Sequence, residues 1–418
     1  MAMAPLPRFA VAAFRTGLPL SRAVDCSGIA ASVTPSSSRT QELSARPFQQ
    51  SNRHSILRVP IFSAQLPSRC FHTTRRALSS PRFTYGIAAS FTAKDRHYNP
   101  DTNVFSFNPY NRIRARRKDK RTRPDSGQDA FFVSRIGDSA DVALGVVDGV
   151  GGWMDSGVDP ADFAHGICDY MAHAAYTHSP GDWESPLGAR SLMQRGYEEI
   201  CRDETVPAGG STACVAVARE DGLLEVANLG DSGFMQLRLN AIRNHSRPQT
   251  HAFNMPYQLS CIPKKVMAQT AAFGGSQLCD FPEDADVSQH QLRHGDVLVF
   301  ASDGVWDNLS SQDILKTVSK VMLDAQAWKH TQAGVSVGKT LHNVTTANDG
   351  KGGPEEIASL QSFLATGITA EAKAASLNTR VDGPFAREVQ KYYPRENWRG
   401  GKVDDICVVV AIVCEEGK

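Results

Sequence analysis

From about residue 129 onward, apolar positions come in short runs bounded by glycine, aspartate and serine, and these runs predict strands. "AFFVSRI" (130–136) and "DVALGVVD" (141–148) are the first two. "STACVAVARED-GLLEVANLGDSGFMQLRLN" predicts three consecutive strands, the first two separated by the Asp221-Gly222 hairpin signal. "DVLVFASD" adds another, and the continuous apolar run "DICVVVAIVC" predicts a final buried strand. Between them the period changes to three and four. "DFAHGICDYMAHAAYTH", "PLGARSLMQRGYEEICR", "ILKTVSKVMLDAQAW" and "IASLQSFLATGITAEAKAASL" predict helices. Strands in series and helices in pairs argue for an α+β fold with an antiparallel core rather than alternating βαβ units.

Upstream of residue 129 the pattern is different. Residues 1–80 hold ten arginines, no lysine and only two acids, Asp25 and Glu42. This hides behind a net charge of +1: without the segment, 45 basic and 44 acidic residues become 35 and 42. An Arg- and Ser-rich, acid-poor N-terminus is the signature of an organelle transit peptide. "MAMAPLPRFAVAAFRTGL" can form an amphipathic helix with Arg8 and Arg15 on one face, and "RCFHTTRRALSS" resembles a mitochondrial two-step processing site. Residues 1–78 are therefore expected to be a mitochondrial transit peptide and Ser79 the first mature residue. The bland alternative is a tail with surface arginines. Secretion is disfavoured, because no continuous apolar stretch precedes a small-residue cleavage site.

Residues 79–124 are expected to be a connector. Its run "RIRARRKDKRTR" (112–123) carries eight basic residues and one acid. No aromatic residue is interleaved for base stacking, so a solvated basic loop is expected rather than a nucleic-acid or membrane contact. The polar, Gly-rich stretch 331–354 is expected to be a surface insertion. It contains "AGVSVGKT", close to a phosphate-binding P-loop, but Ala333 replaces the first glycine and a helical pattern precedes it, which argues against nucleotide binding. No apolar stretch of about 18 residues predicts a membrane span. Nine cysteines with no C-x-x-C pair exclude a zinc cage and a redox pair of that spacing; most lie in apolar runs, as buried free thiols of a reducing compartment.

The candidate chemistry lies in aspartates at the ends of presumed strands. "LGVVDGVGGW" drives an apolar run into Asp148 and then strips side chains from the turn. Asp-Gly is also the commonest hairpin dipeptide, so one such aspartate is only a turn. "VLVFASDGVWDNL" repeats the device with Asp303, and Asp307 follows four residues on. Asp404 and Asp405 precede the last strand, Asp231 follows "VANLG", and Asp129 opens the first strand. Carboxylates gathered at one end of a sheet sandwich repel and rise in pKa unless a cation compensates. Hard oxygen ligands suit magnesium or manganese, and the glycine after Asp148 leaves a bare carbonyl for close approach.

"GQDAFF", "GVVDGVGGW", "GGSTACVAV", "ANLGDSG", "FASDGVWDNL" and "GGKVDDICVVV" occur in this order. The order resembles that of the metal-dependent type 2C (PPM) Ser/Thr protein phosphatases over residues 125–418. "DGVGGW" and "GGKVDDI" are especially similar to the family's mitochondrial branch, which includes the yeast type 2C phosphatase seven and its animal counterparts. The resemblance implies a four-layer αββα sandwich with two Mn2+ or Mg2+ ions at one end. By motif match, Asp148 bridges both ions, Asp303 and Asp404 bind the first, and the Gly149 carbonyl holds the second. Asp231 and Asp307 match a weaker third site, and Asp129 the first acidic motif. Asp148, Asp303 and Asp404 would carry catalysis. The implied reaction is attack of a water activated by two metals about 3.5–4 Å apart on a phosphoserine or phosphothreonine. The implied partners are phosphorylated mitochondrial proteins, in the matrix, with a link to ubiquinone biosynthesis.

Three departures from the family pattern stand out. Gln128 replaces the glutamate usual before Asp129. Pro124 stands where many members carry a phosphate-binding arginine; Arg121 and Arg123 are nearby, but are expected to be solvated. Val150 replaces a histidine regarded as a general acid. These departures keep open an alternative, a weak or inactive phosphatase-like scaffold that binds phosphoproteins. A haloacid-dehalogenase-type phosphatase is disfavoured by the absence of its Asp-x-Asp pair. His165 and His173 are expected to be packing or surface residues.

Overall fold

The computed structural model describes residues 82–109, 111, 120–179, 181, 186–263, 279–345 and 359–418. The expected transit peptide, most of the basic run and the end of the insertion lie outside these residues. The sequence forms two antiparallel sheets. One has six strands in the order β2 (Val104–Ser106), β1 (Phe83–Thr92), β17 (Ile406–Glu415), β14 (Val297–Ala301), β8 (Gly233–Leu237) and β9 (Ile242–His245). The other has five, β13 (Asp286–Gln291), β7 (Leu223–Leu229), β6 (Ala213–Ala218), β4 (Val142–Asp148) and β3 (Asp129–Arg135). Three two-stranded pieces complete the count: β5 (Gly209–Ser211) with β12 (Leu259–Cys261), β10 (Thr250–Ala252) with β11 (Met255–Pro256), and β15 (Trp328–Thr331) with β16 (Gly334–Val337).

The period of two along the strands sorts their side chains into separate cores. On β17, Cys407, Val409, Ala411 and Val413 join Leu144 and Val146 of β4 and Val226 of β7 in one cluster shared by the two sheets. The intervening Ile406, Val408, Val410 and Ile412 pack instead with helix residues. Those helices are α4 (Ser311–Asp324), through Ile314, Val318 and Met322, and α6 (Leu360–Ser376), through Leu364 and Ile368. The five-stranded sheet likewise gives Ala130, Phe132, Ala143, Val147 and Val215 to a third cluster. Its helical side comes from α1 (Pro160–Tyr176), with Phe163, Ile167 and Met171, and α2 (Ala189–Arg202), with Leu192 and Ile200. Among the described residues three short helices remain: α3 (Asp303–Trp306), α5 (Leu341–Thr345) and α7 (Pro384–Tyr392). No helix among the described residues is long and apolar enough to cross a membrane.

The stretch read as a connector is corrected by β1. All ten of its residues pair with β17, from Phe83 opposite Glu415 to Thr92 opposite Ile406. The helix expected to run to Trp328 ends at Asp324, because Gln326 adopts a left-handed conformation (φ 54°) and turns the chain into β15. Trp328 is buried there and donates its Nε1–H to the Gly295 carbonyl at 2.9 Å. The P-loop-like "AGVSVGKT" contributes β16 to a hairpin, not the loop between a strand and a helix. Helix α4 begins with a capping box: Ser310 Oγ accepts the Asp313 N–H (3.3 Å) and Asp313 Oδ2 accepts the Ser310 N–H (2.9 Å). Ser310→Ala is expected to cost about 1 kcal/mol. Urea unfolding would show this as a lower midpoint with an unchanged slope.

Candidate metal centre

The register of β3 and β4 places Asp129 directly opposite Asp148 at the end of the five-stranded sheet. Buried Val146 and Val147 fix the approach to Asp148, and its N–H donates to Thr212 Oγ1 (3.2 Å). Thr212 in turn hydrogen-bonds the Ser232 hydroxyl at 2.8 Å. Beyond Asp148 the chain narrows: a Cβ on Gly149 would lie 2.8 Å from the Gln128 carbonyl oxygen. The Val150 N–H donates to the Gly210 carbonyl (3.0 Å), so this turn is hydrogen-bonded to β5.

From the other sheet, β14 ends at Ala301 and Ser302 follows. The buried Ser302 hydroxyl donates to Asp129 Oδ2 (2.6 Å) and accepts the Cys407 N–H (3.0 Å). This one side chain ties the ends of the two sheets together. Asp303 then opens α3. Gly304 has no room for a side chain, since a Cβ would lie 2.0 Å from the Asp405 carbonyl oxygen. Asp405 is buried and accepts the N–H groups of Lys94 (2.7 Å) and Gln128 (3.0 Å), so it joins the loops after β1 and before β3.

The structure brings all the sequence-identified aspartates to this end. Asp148 is pushed well above the usual carboxylate range, chiefly by burial and then by Asp303, Asp129, Asp404 and Asp231. Burial and Asp405 do the same to Asp129. Asp231 rises to about 8 through burial and Asp303, and Asp307 to about 7 through burial against the pull of Lys402. Asp404 is raised by burial and Asp303. Asp303 alone of the six is lowered: burial pulls it up, and the Lys402 ammonium and hydrogen bonds outweigh that pull.

Lys402 is the residue that sequence reasoning missed. Its Nζ lies 2.5 Å from Asp303 Oδ2, 2.6 Å from Asp307 Oδ2 and 3.0 Å from Asp404 Oδ2, and 5.0 Å from the centre of the Phe385 ring. Burial disfavours this ammonium, but the three carboxylates raise its pKa well above that of a free lysine. A signal existed: two residues apart in an extended segment, Lys402 and Asp404 share a face. Ser302 carried no such signal.

Five of the six carboxylates are thus raised, chiefly by burial and then by neighbouring carboxylates, and the Lys402 ammonium contacts three of the six. The donors are oxygens, as hard divalent cations require. Asp231 Oδ1 is buried without a hydrogen-bond partner. These observations fit a divalent cation. Among the described residues no three acidic, histidine or cysteine side chains already enclose a cation site. The Lys402 ammonium lies between Asp303, Asp307 and Asp404.

The departures from the family pattern have structural counterparts. The Gln128 amide turns away to Met154 Sδ (2.9 Å). Val150 precedes the single-turn helix Gly151–Ser156 and offers no side-chain donor. Arg123, expected to be solvated, is largely buried and pairs with Asp162 at 2.7 Å; Lys120 pairs with the same carboxylate at 2.7 Å. His165 is buried and held neutral, its pKa lowered to about 4 by burial and by Arg123, as suits a packing residue.

No protein-family model matches the chain. Curated relatives do. The protein phosphatase PTC7 homolog fig of Drosophila ananassae is 34% identical over 288 residues, 69% of this chain and 73% of that protein. The mitochondrial protein phosphatase 2C homolog 7 of Saccharomyces cerevisiae is 30% identical over 332 residues, 79% of this chain and 83% of that protein. Among solved structures, the photosystem II phosphatase PBCP matches with a TM-score of 0.49 and 24% identity, over 68% of this chain and 91% of that one.

Proposed function

The chain belongs to the PTC7 branch of the type 2C protein phosphatases and is a protein Ser/Thr phosphatase, and on that premise we propose that it is a metal-dependent mitochondrial enzyme working at the carboxylate end of its two sheets. The observation that carries this reading is the gathering of six carboxylates at one end of the sheets, three of them in contact with the Lys402 ammonium. The three separate cores support a four-layer αββα arrangement.

Asp148, Asp303 and Asp404 would hold two Mn2+ or Mg2+ ions with the Gly149 carbonyl, while Asp129, Asp231 and Asp307 complete the acidic rim. When bound, such ions polarise the phosphoryl group and the attacking water of a phosphoserine or phosphothreonine. The chain's own residues set the geometry. The β3–β4 register and Thr212 hold Asp148; Ser302 keeps Asp129 aimed at the end of the sheets; Asp405 ties the flanking loops. Gly149 lets the turn after Asp148 pack against Gln128 and Pro160. Val150 cannot deliver a proton to the leaving alkoxide.

The name of the yeast relative and the Arg-rich, acid-poor N-terminus support a mitochondrial location. Matrix phosphoproteins, including those of ubiquinone biosynthesis, are the substrates this reading assigns. Relatives named as phosphatases do not favour the non-catalytic scaffold. The test is hydrolysis of a phosphothreonine peptide with and without manganese. Turnover that depends on manganese and stops with a chelator is expected, and no turnover at millimolar metal would overturn the reading.

A further inference from the structure

The cysteines depart from their expected burial at one place. Cys168, Cys214, Cys407 and Cys414 are buried, as their apolar runs predict. Cys201 is exposed, and Cys261 and Cys279 are half-buried. These three come together although 60 and 18 residues separate them in sequence. Cys201 lies in the last turn of α2, Cys261 ends β12, and Cys279 precedes Asp280, whose N–H returns to the Gln258 carbonyl at 3.0 Å.

Cys261 Sγ lies 3.9 Å from the Cys201 carbonyl oxygen, and the two thiols are near enough to shift each other's titration. Tyr197, one helical turn before Cys201, frames the cluster. Its hydroxyl donates to the Ser260 carbonyl (3.0 Å), close to the Cys201 and Cys279 thiols. Cys279 Sγ reaches the same carbonyl at 3.9 Å.

We propose that Cys201 and Cys261 are a peroxide-reactive dithiol that closes to a reversible disulfide joining α2 to β12. The approach of Cys261 Sγ to Cys201, within 3.9 Å of its carbonyl oxygen, and the exposure of Cys201 carry this. The neighbouring Cys201 adds to it by lowering the Cys261 thiol to about 7, where thiolate and thiol are both plentiful at neutral pH. Cys201 is shifted upward, chiefly by Cys261. The oxidant is a hydroperoxide. The Cys261 thiolate attacks its terminal oxygen, the O–O bond breaks, and water or an alcohol leaves, giving a sulfenic acid. The Cys201 sulfur then attacks the Cys261 sulfur and displaces water. Two thiols and one hydroperoxide become one disulfide, one water and one alcohol or second water. A thiol reductant reverses the closure.

The full chain would be treated with hydrogen peroxide under native conditions, its remaining thiols alkylated, and its unreduced peptides mapped by mass spectrometry. A peptide pair linked through Cys201 and Cys261, lost on reduction, is expected. Before oxidation, Cys261 should be alkylated at least about tenfold faster than buried Cys214. In Cys201→Ser, Cys261 should stop at the sulfenic acid and accept a dimedone label; Cys279→Ser should leave the linkage intact. Wild-type mapping decides the matter even where a variant folds poorly. Pairing of Cys261 with Cys279, over-oxidation of Cys261 without pairing, or reactivity no greater than that of Cys214 would each overturn the proposal.

Discussion

Asp303→Asn is expected to lower manganese-dependent hydrolysis of a phosphothreonine peptide by at least about 100-fold, the upper end of what loss of a supporting group around a metal costs. The substitution is nearly isosteric, so α3 keeps its shape and Lys402 keeps Asp307 and Asp404 as partners. What is lost is charge at the one carboxylate held below the usual range, the one best prepared to be anionic. A circular-dichroism spectrum and unfolding midpoint near those of the wild type would separate lost chemistry from lost fold. Equal rates for the two proteins would refute this placement of the site.

The second large effect concerns Lys402. Lys402→Met removes the only ammonium in contact with Asp303, Asp307 and Asp404 among the described residues. Stripping the partner from a buried ionic cluster costs about 3 kcal/mol. The metal-free variant should therefore unfold at a clearly lower urea concentration or temperature. Manganese should then stabilise the variant more than the wild type. In the wild type an ion must displace an ammonium, whereas in the variant three carboxylates are already free to ligate it. Equal stabilisation of both proteins by manganese would show that Lys402 does not stand in for a cation.

The candidate site was legible in sequence wherever an apolar run ended abruptly in a charge. Asp148 and Asp303 follow strands whose burial leaves no other reading once several such ends occur together. Cys214, Cys407 and Cys414 announced their burial by their neighbours. Lys402 was hidden because a lysine in a polar loop usually means solvent; only the folded loop carries it across to Asp303 and Asp307. The thiol cluster was hidden for the same reason, since its members meet only through tertiary structure. Strand β1 escaped because "FTYGIAASFT" is diluted by Gly86, Ala88, Ala89 and Ser90. The structure supplies the reason for small residues there: α6 lies close, and a Cβ on Gly86 would be 3.3 Å from the Gln361 side chain. Close packing of a helix thus erased the hydrophobic signal that marks a strand. Arg123 was misjudged because a basic run reads as solvated, whereas Asp162 on α1 draws one member inward.

The pairing of β1 with β17 sets an order of events. Phe83 sits opposite Glu415, and β17 lies between β1 and β14 along the six-stranded sheet. A chain delivered from its N-terminus, by a ribosome or through a translocation pore, must hold β1 with one edge unpaired, and β2 covering only Ala88–Ser90 on the other, until the final strand arrives more than 300 residues later. Contacts of such separation form slowly, and waiting edges invite association with other chains. Passage through an import channel would therefore leave one edge of β1 waiting throughout, and a nascent chain stalled before residue 406 would offer β1 only the three-residue pairing with β2.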